Sequence, residues 1–372
     1  MSRSWNDFVT KNSVHLDEKK QQTTYKIEYI VKYVEKWLLV QCNVPENKNI
    51  NFIDSMCNAG IYRDGDKGTA IKVLELFNVF ALQYPDKTFN LLLNDISADR
   101  LRIINAVIND FIGIEAGNIH VLYYNQDVND FISNTAAFNT IFNCYPNRAA
   151  NLVFVDPYNF CTVKLSALQN FLSNKYCELL YNVFTSDFVR NQDKTKMQQY
   201  CQEENIVARN KQEMVDIIKS RLRTGYIKHV FSYEFKTVTN NEIYQIMFFT
   251  PNIRGLEKLK EALWETFNGK EFYKNEKEQD VIQMSIFTEE DDKAWMITQH
   301  SDVAKALLVY QHKGETLTYQ QIEAFLLENT LLNGNQIINN VIKPLIDNKQ
   351  INKLGCVENR SNYKKDKYII VG

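Results

Sequence analysis

Four short segments carry the residues whose types and spacing could do chemistry. The first is Asp54-Ser55-Met56-Cys57-Asn58-Ala59-Gly60. Small residues at such a turn let the backbone approach a ligand closely. Asn58 tolerates the left-handed region, and Gly60 enters it without steric cost. The turn either cradles a nucleotide-like ligand or simply joins a strand to a helix. The second segment is Asn94-Asp95. An acid at the end of a second strand accepts hydrogen bonds from both ribose hydroxyls; with Ser97 it equally suits a helix cap. The third is Asn125-Gln126-Asp127, where Asp127 either accepts from the exocyclic amine of a purine or caps the next helix. The fourth is Val155-Asp156-Pro157-Tyr158-Asn159-Phe160. Pro157 stops the strand and sets Asp156 and Tyr158 at the sheet edge. An acceptor beside an aromatic face holds a planar amine: the acceptor takes an N–H and the ring stacks. Methyl transfer to an exocyclic amino group requires that arrangement, and the stacking also grips a base swung out of its helix. An Asp-Pro turn with no ligand is the plainer alternative.

The elements that must position these segments follow from periodicity. Ile27, Ile30, Val31, Val34, Trp37 and Leu38 recur at helical spacing and predict a helix over 23–42, with Thr23 or Thr24 as its cap. Residues 1–20 read as a loop or frayed arm. From residue 52, apolar runs ending near Asp54, Asp95, Tyr123, Asp156 and Phe184 alternate with helices near 69–83, 97–112, 128–142 and 164–174. Buried runs alternating with helices predict a parallel sheet covered on both faces. Ligands of such sheets sit beyond the carboxyl ends of the strands. Residues 190–222 read as charged helix without a clear apolar stripe, covering the active face or binding substrate. Ile227–Thr237 and Ile243–Thr250 predict an antiparallel hairpin, and a helix follows at 253–267. A parallel sheet closed by a hairpin narrows the list of folds.

Residues 271–292 hold eight acidic side chains against two lysines, the mark of a solvated linker. Beyond it, helices are expected at 301–312, 318–328 and 333–349, with Pro344 kinking the last, then strands near 350–358 and 366–371. Three helices followed by a hairpin is the winged-helix order. Asn335, Gln336, Asn339 and Lys343 lie on the third helix, and Asn and Gln side chains can read base edges. Arg360, Lys364 and Lys365 lie on the wing, and residues 341–372 carry seven positive charges against three negative. That patch suits phosphate contact; a protein-contact module with solvated lysines is the alternative.

Composition bounds the rest. The chain has 372 residues, 45% hydrophobic and 24% charged, which excludes a disordered chain, a collagen-like fibre and a coiled-coil rod. A net charge of −2 gives no global pull on nucleic acid, so any such binding must be local. The seven cysteines include no CxxC pair and are odd in number, and the start is polar, so reduced cytoplasmic thiols are expected. The five histidines pair with no cysteine or acid at ligand spacing; no metal and no catalytic histidine are expected. The GxGxxG and GxxxxGK[ST] phosphate motifs are absent, and no run is long enough for a membrane span.

Asp54-x-x-Cys57-Asn58-Ala59-Gly60, then Asp95, Asp127 and Asp156-Pro157-Tyr158, with the closing hairpin, resembles a class I S-adenosylmethionine-dependent methyltransferase. More narrowly, residues 15–265 resemble the three-Cys-motif partner family, through the helix from Lys26 to Trp37, the strand Phe52-Ile53-Asp54, the loop Cys57 to Gly60, and Asp156-Pro157-Tyr158. The chain departs from those patterns twice: Asn58 stands where the loop usually has glycine, and a single proline precedes Tyr158 where the aminomethyltransferase motif has two. The resemblance implies a Rossmann-like α/β sheet with a terminal antiparallel hairpin over 48–268. A helical insertion lies near 187–225, after an N-terminal arm over 1–47 and ahead of an acidic linker over 269–297 and a winged helix over 298–372. It implies S-adenosylmethionine as cofactor, with Asp54, Cys57, Asn58 and Gly60 at its methionine part, Asp95 at its ribose, and Gln126 or Asp127 at its adenine. Asp156, Pro157 and Tyr158 orient the acceptor, expected to be a base amino group of DNA or RNA. A radical-enzyme-like three-cysteine protein is the partner it implies, and a role in phage defence follows from the same family. A catalytically inactive, nucleic-acid-binding relative of that fold is the alternative.

Overall fold

The computed structural model describes residues 4–134, 148–184, 194–202, 208–237, 243–270, 272–273, 289–354 and 367–371. The expected alternation is present: β1 (Asn47–Asp54), α3 (Thr69–Gln83), β2 (Thr88–Asn94), α4 (Ala98–Val107), β3 (Ile119–Tyr124), α5 (Val128–Ser133), β4 (Arg148–Val155), α6 (Leu165–Leu172) and β5 (Cys177–Phe184). Helix α4 runs on into a π-helical turn at Ile108–Ile112. The hairpin is β6 (His229–Thr237) with β7 (Ile243–Thr250), followed by α9 (Ile253–Phe267). The sheet order is β3-β2-β1-β4-β5-β7-β6-β8, where β8 is the two-residue strand Phe272–Tyr273. Strands β1 to β5 pair in parallel, while β7 runs antiparallel to both β5 and β6.

Each central strand is apolar on both faces because helices cover both. Ile50, Phe52, Leu91, Leu93, Leu152 and Phe154 point to one side, under α2 (Gln21–Cys42), α3, α4 and α9. Ile53, Leu92, Val153, Val155, Leu179 and Tyr181 point to the other, under α5, α6, α7 (Lys194–Cys201) and α8 (Lys211–Leu222). Burying one such aliphatic or aromatic side chain contributes about 1.5–3 kcal/mol. One row of polar residues crosses this apolar sheet. Asn90 Nδ2 donates to Asn51 Oδ1 at 2.7 Å, and Asn51 Nδ2 donates to Asn151 Oδ1 at 2.7 Å. Asn51 sits directly opposite both neighbours in register. A one-residue slip would separate these amides, so the row fixes the pairing of three strands. Asn51→Leu is expected to destabilise the fold by about 2–4 kcal/mol, because it strips buried partners from Asn90 and Asn151; equilibrium urea unfolding measures it.

Three expectations need correction. Residues 1–20 are not merely a loop or arm: α1 (Trp5–Asn12) buries Phe8, Val9 and Asn12, and Trp5 and Phe8 pack on Phe111 with ring centroids 5.0 and 5.1 Å away. The helices after β5 have an apolar stripe after all, since Met214, Val215, Ile218 and Leu222 of α8 are buried in the sheet's second layer. The acidic stretch at 271–292 contains β8 and the start of α10 (Glu289–His312); residues 274–288 lie outside the described residues. Among the described residues, no helix is long and apolar enough to cross a membrane.

The C-terminal elements are α10, β9 (Thr316–Thr318), α11 (Tyr319–Asn329), α12 (Gly334–Gln336), a π turn at Ile337–Ile342, α13 (Lys343–Asp347), β10 (Ile351–Leu354) and β11 (Lys367–Ile370). Their strands form a separate sheet in the order β10-β11-β9. Pro344 follows directly on the π turn, within an unbroken helical run from Gly334 to Asp347. These elements pack on the main domain through one continuous core. Trp264 Nε1 donates to the Leu331 carbonyl at 2.8 Å, and the fully buried Lys260 donates to the Thr330 carbonyl.

Candidate active site

Strands β2 and β3 extend the sheet on one side of β1, and β4 and β5 extend it on the other. The crevice of such a sheet opens where the order reverses, beyond the carboxyl ends of β1 and β4. Those ends are Asp54 and the residue after Val155, which is Asp156. Asp95 follows β2 beside them. The topology therefore brings the first, second and fourth segments to one edge.

The loop after β1 needs its small residues. Asn58 has φ 55° and Gly60 φ 72°. A Cβ on Gly60 would stand 2.6 Å from Ile104 Cδ1, so only glycine fits. Asp54 is buried, and its Oδ1 accepts from the Met56 amide at 3.4 Å. Desolvation raises its pKa to about 7; the Met56 hydrogen bond and Lys26 oppose the rise, and Asp156 and Asp95 add to it. Burial likewise pushes the Cys57 thiol well up, making it an inert wall residue. Asp95 ties two loops together: Oδ2 accepts from the Asn58 amide at 3.1 Å and Oδ1 from the Ser97 amide at 2.8 Å. Burial raises its pKa too. Ser97 itself caps α4. Asp127 caps α5, its Oδ1 accepting from the Asn129 amide at 2.8 Å. The backbone of Gln126 is fastened by Asn94, which donates to its carbonyl at 3.2 Å and to the Ser55 carbonyl at 2.9 Å.

Asp156 is not a lone carboxylate. Lys26 of α2 forms an ion pair with its Oδ2, with side-chain exposures of 18% and 19% for the two residues. Asn182 of β5 donates to Oδ1 at 2.7 Å. Asn182 is buried, and its own carbonyl oxygen has no partner among the described residues. Pro157 is buried, while Tyr158 is 58% exposed and presents its ring to solvent. The Tyr158 hydroxyl reaches across the crevice and donates to Asn58 Oδ1. Arg100 of α4 donates to the same oxygen at 2.7 Å and to Asp17 at 2.9 Å. This bridge divides the crevice. One cavity, of about 30 Å³, is lined by Asp17, Lys26, Asp54, Asn58, Tyr62 and Asp156 among others. The other, of about 80 Å³, is lined by Met56, Asp95, Ile96, Arg100, Gln126 and Asp127 among others.

Sequence reading thus named ten residues that this edge gathers, quoted Asn94 beside Asp95 without giving it a role, and missed Asp17, Lys26, Arg100 and Asn182. Asn182 alone left a signal, as the one polar residue within Leu179-Leu180-Tyr181-Asn182-Val183. Among the described residues, no group of acids, histidines and cysteines could hold a metal ion.

On the C-terminal elements, Asn335, Asn339 and Lys343 share one exposed ridge, with Lys343 Nζ donating to Asn339 at 2.8 Å. Gln336 is occupied instead in a capping box with Asn333. Arg360, Lys364 and Lys365 lie outside the described residues.

The fold is a Rossmann-like α/β sheet, parallel over β1 to β5 and closed by an antiparallel hairpin. No family model matches the chain, and no curated protein matches it, so the narrower resemblance to three-Cys-motif partners finds no support. One solved structure similar to it is that of a Listeria monocytogenes protein described provisionally as a class I S-adenosylmethionine-dependent methyltransferase. It shares 10% identity over 60% of each chain, with a TM-score of 0.31. The chain spans about 60% of that relative, and a likeness this slight carries no weight beside the strand order itself.

Proposed function

We propose that the protein is an S-adenosylmethionine-dependent methyltransferase acting on nucleic acid, at a base amino group. The observation that carries the reading is the convergence of Asp54, Asp95 and Asp156 at the carboxyl edge where the strand order reverses. S-adenosylmethionine, when bound, supplies a methyl group on a sulfonium sulfur, which keeps the electron pair of the broken C–S bond. The residues fit this group. Asp54 and its neighbours make an acidic wall for a cation, Asp95 has lone pairs left for ribose hydroxyls, and Ile96 and Val128 offer apolar sides for a purine between Gln126 and Asp127. Asp156 accepts an N–H of the acceptor amine and takes or passes on the proton that the new N–C bond releases. Tyr158 supplies the face on which the base stacks. Positioning does most of the work.

The nucleic-acid part of the reading is supported by the C-terminal elements. Read as a winged helix, these elements would set the exposed ridge of Asn335, Asn339 and Lys343 toward a groove. A second reading, a methyltransferase-like scaffold that binds nucleic acid without catalysis, is favoured by the bridge of Tyr158, Asn58 and Arg100 across the crevice.

Calorimetric titration with S-adenosylmethionine tests both. Micromolar binding, lost in Asp54→Ala and Asp95→Ala, is expected. Affinity should rise with pH by up to about tenfold per unit below 7 and flatten above it, because a cationic ligand favours the ionised form of a carboxyl that titrates at about 7. In the free protein the sign is opposite. The raised folded pKa of Asp54 gives stability that is full below about pH 4 and lost as pH rises through about 7. Asn58→Gly is expected to bind as tightly as the parent or up to about tenfold tighter, since it removes the keystone of the bridge and leaves a φ that glycine adopts freely. No heat of binding in either protein would leave only the scaffold reading.

A further inference from the structure

Lys26 lies outside every segment assigned a role above, on a helix that precedes the alternating strands and helices. Its ammonium nevertheless meets Asp156 at the mouth where the acceptor must enter. It shares a cavity wall with Asp17, Asp54 and Asp156 and is the one cation among the described residues of that wall. The ammonium has three protons and spends one on Asp156. The carboxylate has about four lone-pair sites and spends two, on Lys26 and Asn182. The mouth therefore presents a donor and an acceptor side by side.

We propose that Lys26 is a specificity-determining residue that selects bases whose Watson–Crick edge sets the amine next to an unprotonated ring nitrogen. The proposal rests on the methyl-transfer reading above. Adenine offers its 6-amino N–H next to the lone pair of N1, and cytosine its 4-amino N–H next to N3. In either base Asp156 takes the N–H and Lys26 donates to the ring nitrogen. On the same edge of guanine the amine adjoins N1–H, a donor that would confront the ammonium with no acceptor. Donation to the ring nitrogen draws electron density away from the amine, so it cannot speed the chemical step. Its effect belongs to acceptor binding, and it acts through orientation.

Full-length protein, Lys26→Met and Lys26→Arg are compared on DNA and RNA oligonucleotides containing a single adenine. Matched oligonucleotides carry 1-deazaadenine, in which C–H replaces the ring nitrogen. Fluorescence anisotropy gives Kd without cofactor, and labelled methyl transfer separates KM from kcat. In the parent protein the deaza substitution is expected to raise Kd and KM about tenfold to a hundredfold and leave kcat within a few-fold. In Lys26→Met the two oligonucleotides should behave alike, and Lys26→Arg should keep part of the difference. Equal Kd and KM for the two in the parent protein would overturn the proposal, whatever the variants do. So would a Lys26→Met protein that still distinguishes them. Should Lys26→Met fail to fold, the parent comparison and Lys26→Arg still decide. Transfer that occurs but ignores the ring nitrogen sinks only this assignment, whereas neither binding nor transfer on any oligonucleotide sinks the methyl-transfer reading with it.

Discussion

Asp156→Ala is expected to lower kcat for methyl transfer about a hundredfold to a thousandfold, the usual cost of removing one preorganised hydrogen-bonding group from a transition state. Cofactor affinity should fall far less than the rate, because the cavity assigned to the ribose and adenine is lined by Asp95, Gln126 and Asp127 without Asp156, while Asp54 remains in the cavity that it shares with Asp156. The substitution also strips partners from Lys26 and from the buried Asn182. A stability loss of about 1–3 kcal/mol should therefore accompany it. Asp156→Asn separates the two effects: it keeps the shape and much of the hydrogen bonding but not the charge, so the fold should hold while the rate stays low. Single-turnover transfer, beside calorimetric titration of the cofactor, reads both. An unchanged rate in Asp156→Ala would remove this residue from the site.

Gly255→Ala is the second. By helix propensity alone it should stabilise, since alanine exceeds glycine by about 1 kcal/mol in a helix, and Gly255 lies in the first turn of α9. Its surroundings reverse the sign. A Cβ there would collide with Glu178 Oε1 and stand 2.8 Å from Thr250 Oγ1. Glu178 is a buried carboxyl, its pKa raised by desolvation and held down by its hydrogen bonds. Oε2 accepts from the Tyr33 hydroxyl at 2.9 Å, and Oε1 accepts from Thr250 Oγ1. This network joins α2, β5 and β7 under α9. The added methyl must either break it or push α9 off the sheet, and overpacking with a disrupted buried polar group costs about 2–5 kcal/mol. Urea unfolding is expected to show the midpoint falling by a corresponding amount. A midpoint at or above the parent value would show that α9 shifts freely, and that the network does not hold it. Because Lys32 and Lys36 of α2 also reach Glu265 of α9, loosening α9 should disturb the helix that carries Lys26.

The sequence by itself determined the alternation of strands and helices, the closing hairpin and the residues at the strand ends. Those features are local. Apolar runs flanked by Asp, and amphipathic stretches between them, are written in the order of the side chains and need no distant partner. Helix α3 at Thr69–Gln83 and helix α9 at Ile253–Phe267 match the expected bounds for that reason. Tertiary structure decided which residues share the edge. Asp17 and Arg100 are 83 positions apart, and Lys26 and Asp156 are 130 apart. No periodicity links them; only the sheet order and the packing of α2 bring them together. The same holds for the row Asn90-Asn51-Asn151, three amides that look like misplaced polar residues until parallel pairing sets them in one line. It holds for α1 as well, whose few apolar residues are too sparse to predict a helix and are buried only because Phe111 lies against them. Burial decided the rest: Asp54 titrates near 7 because of what covers it, and nothing in Phe52-Ile53-Asp54-Ser55 states that.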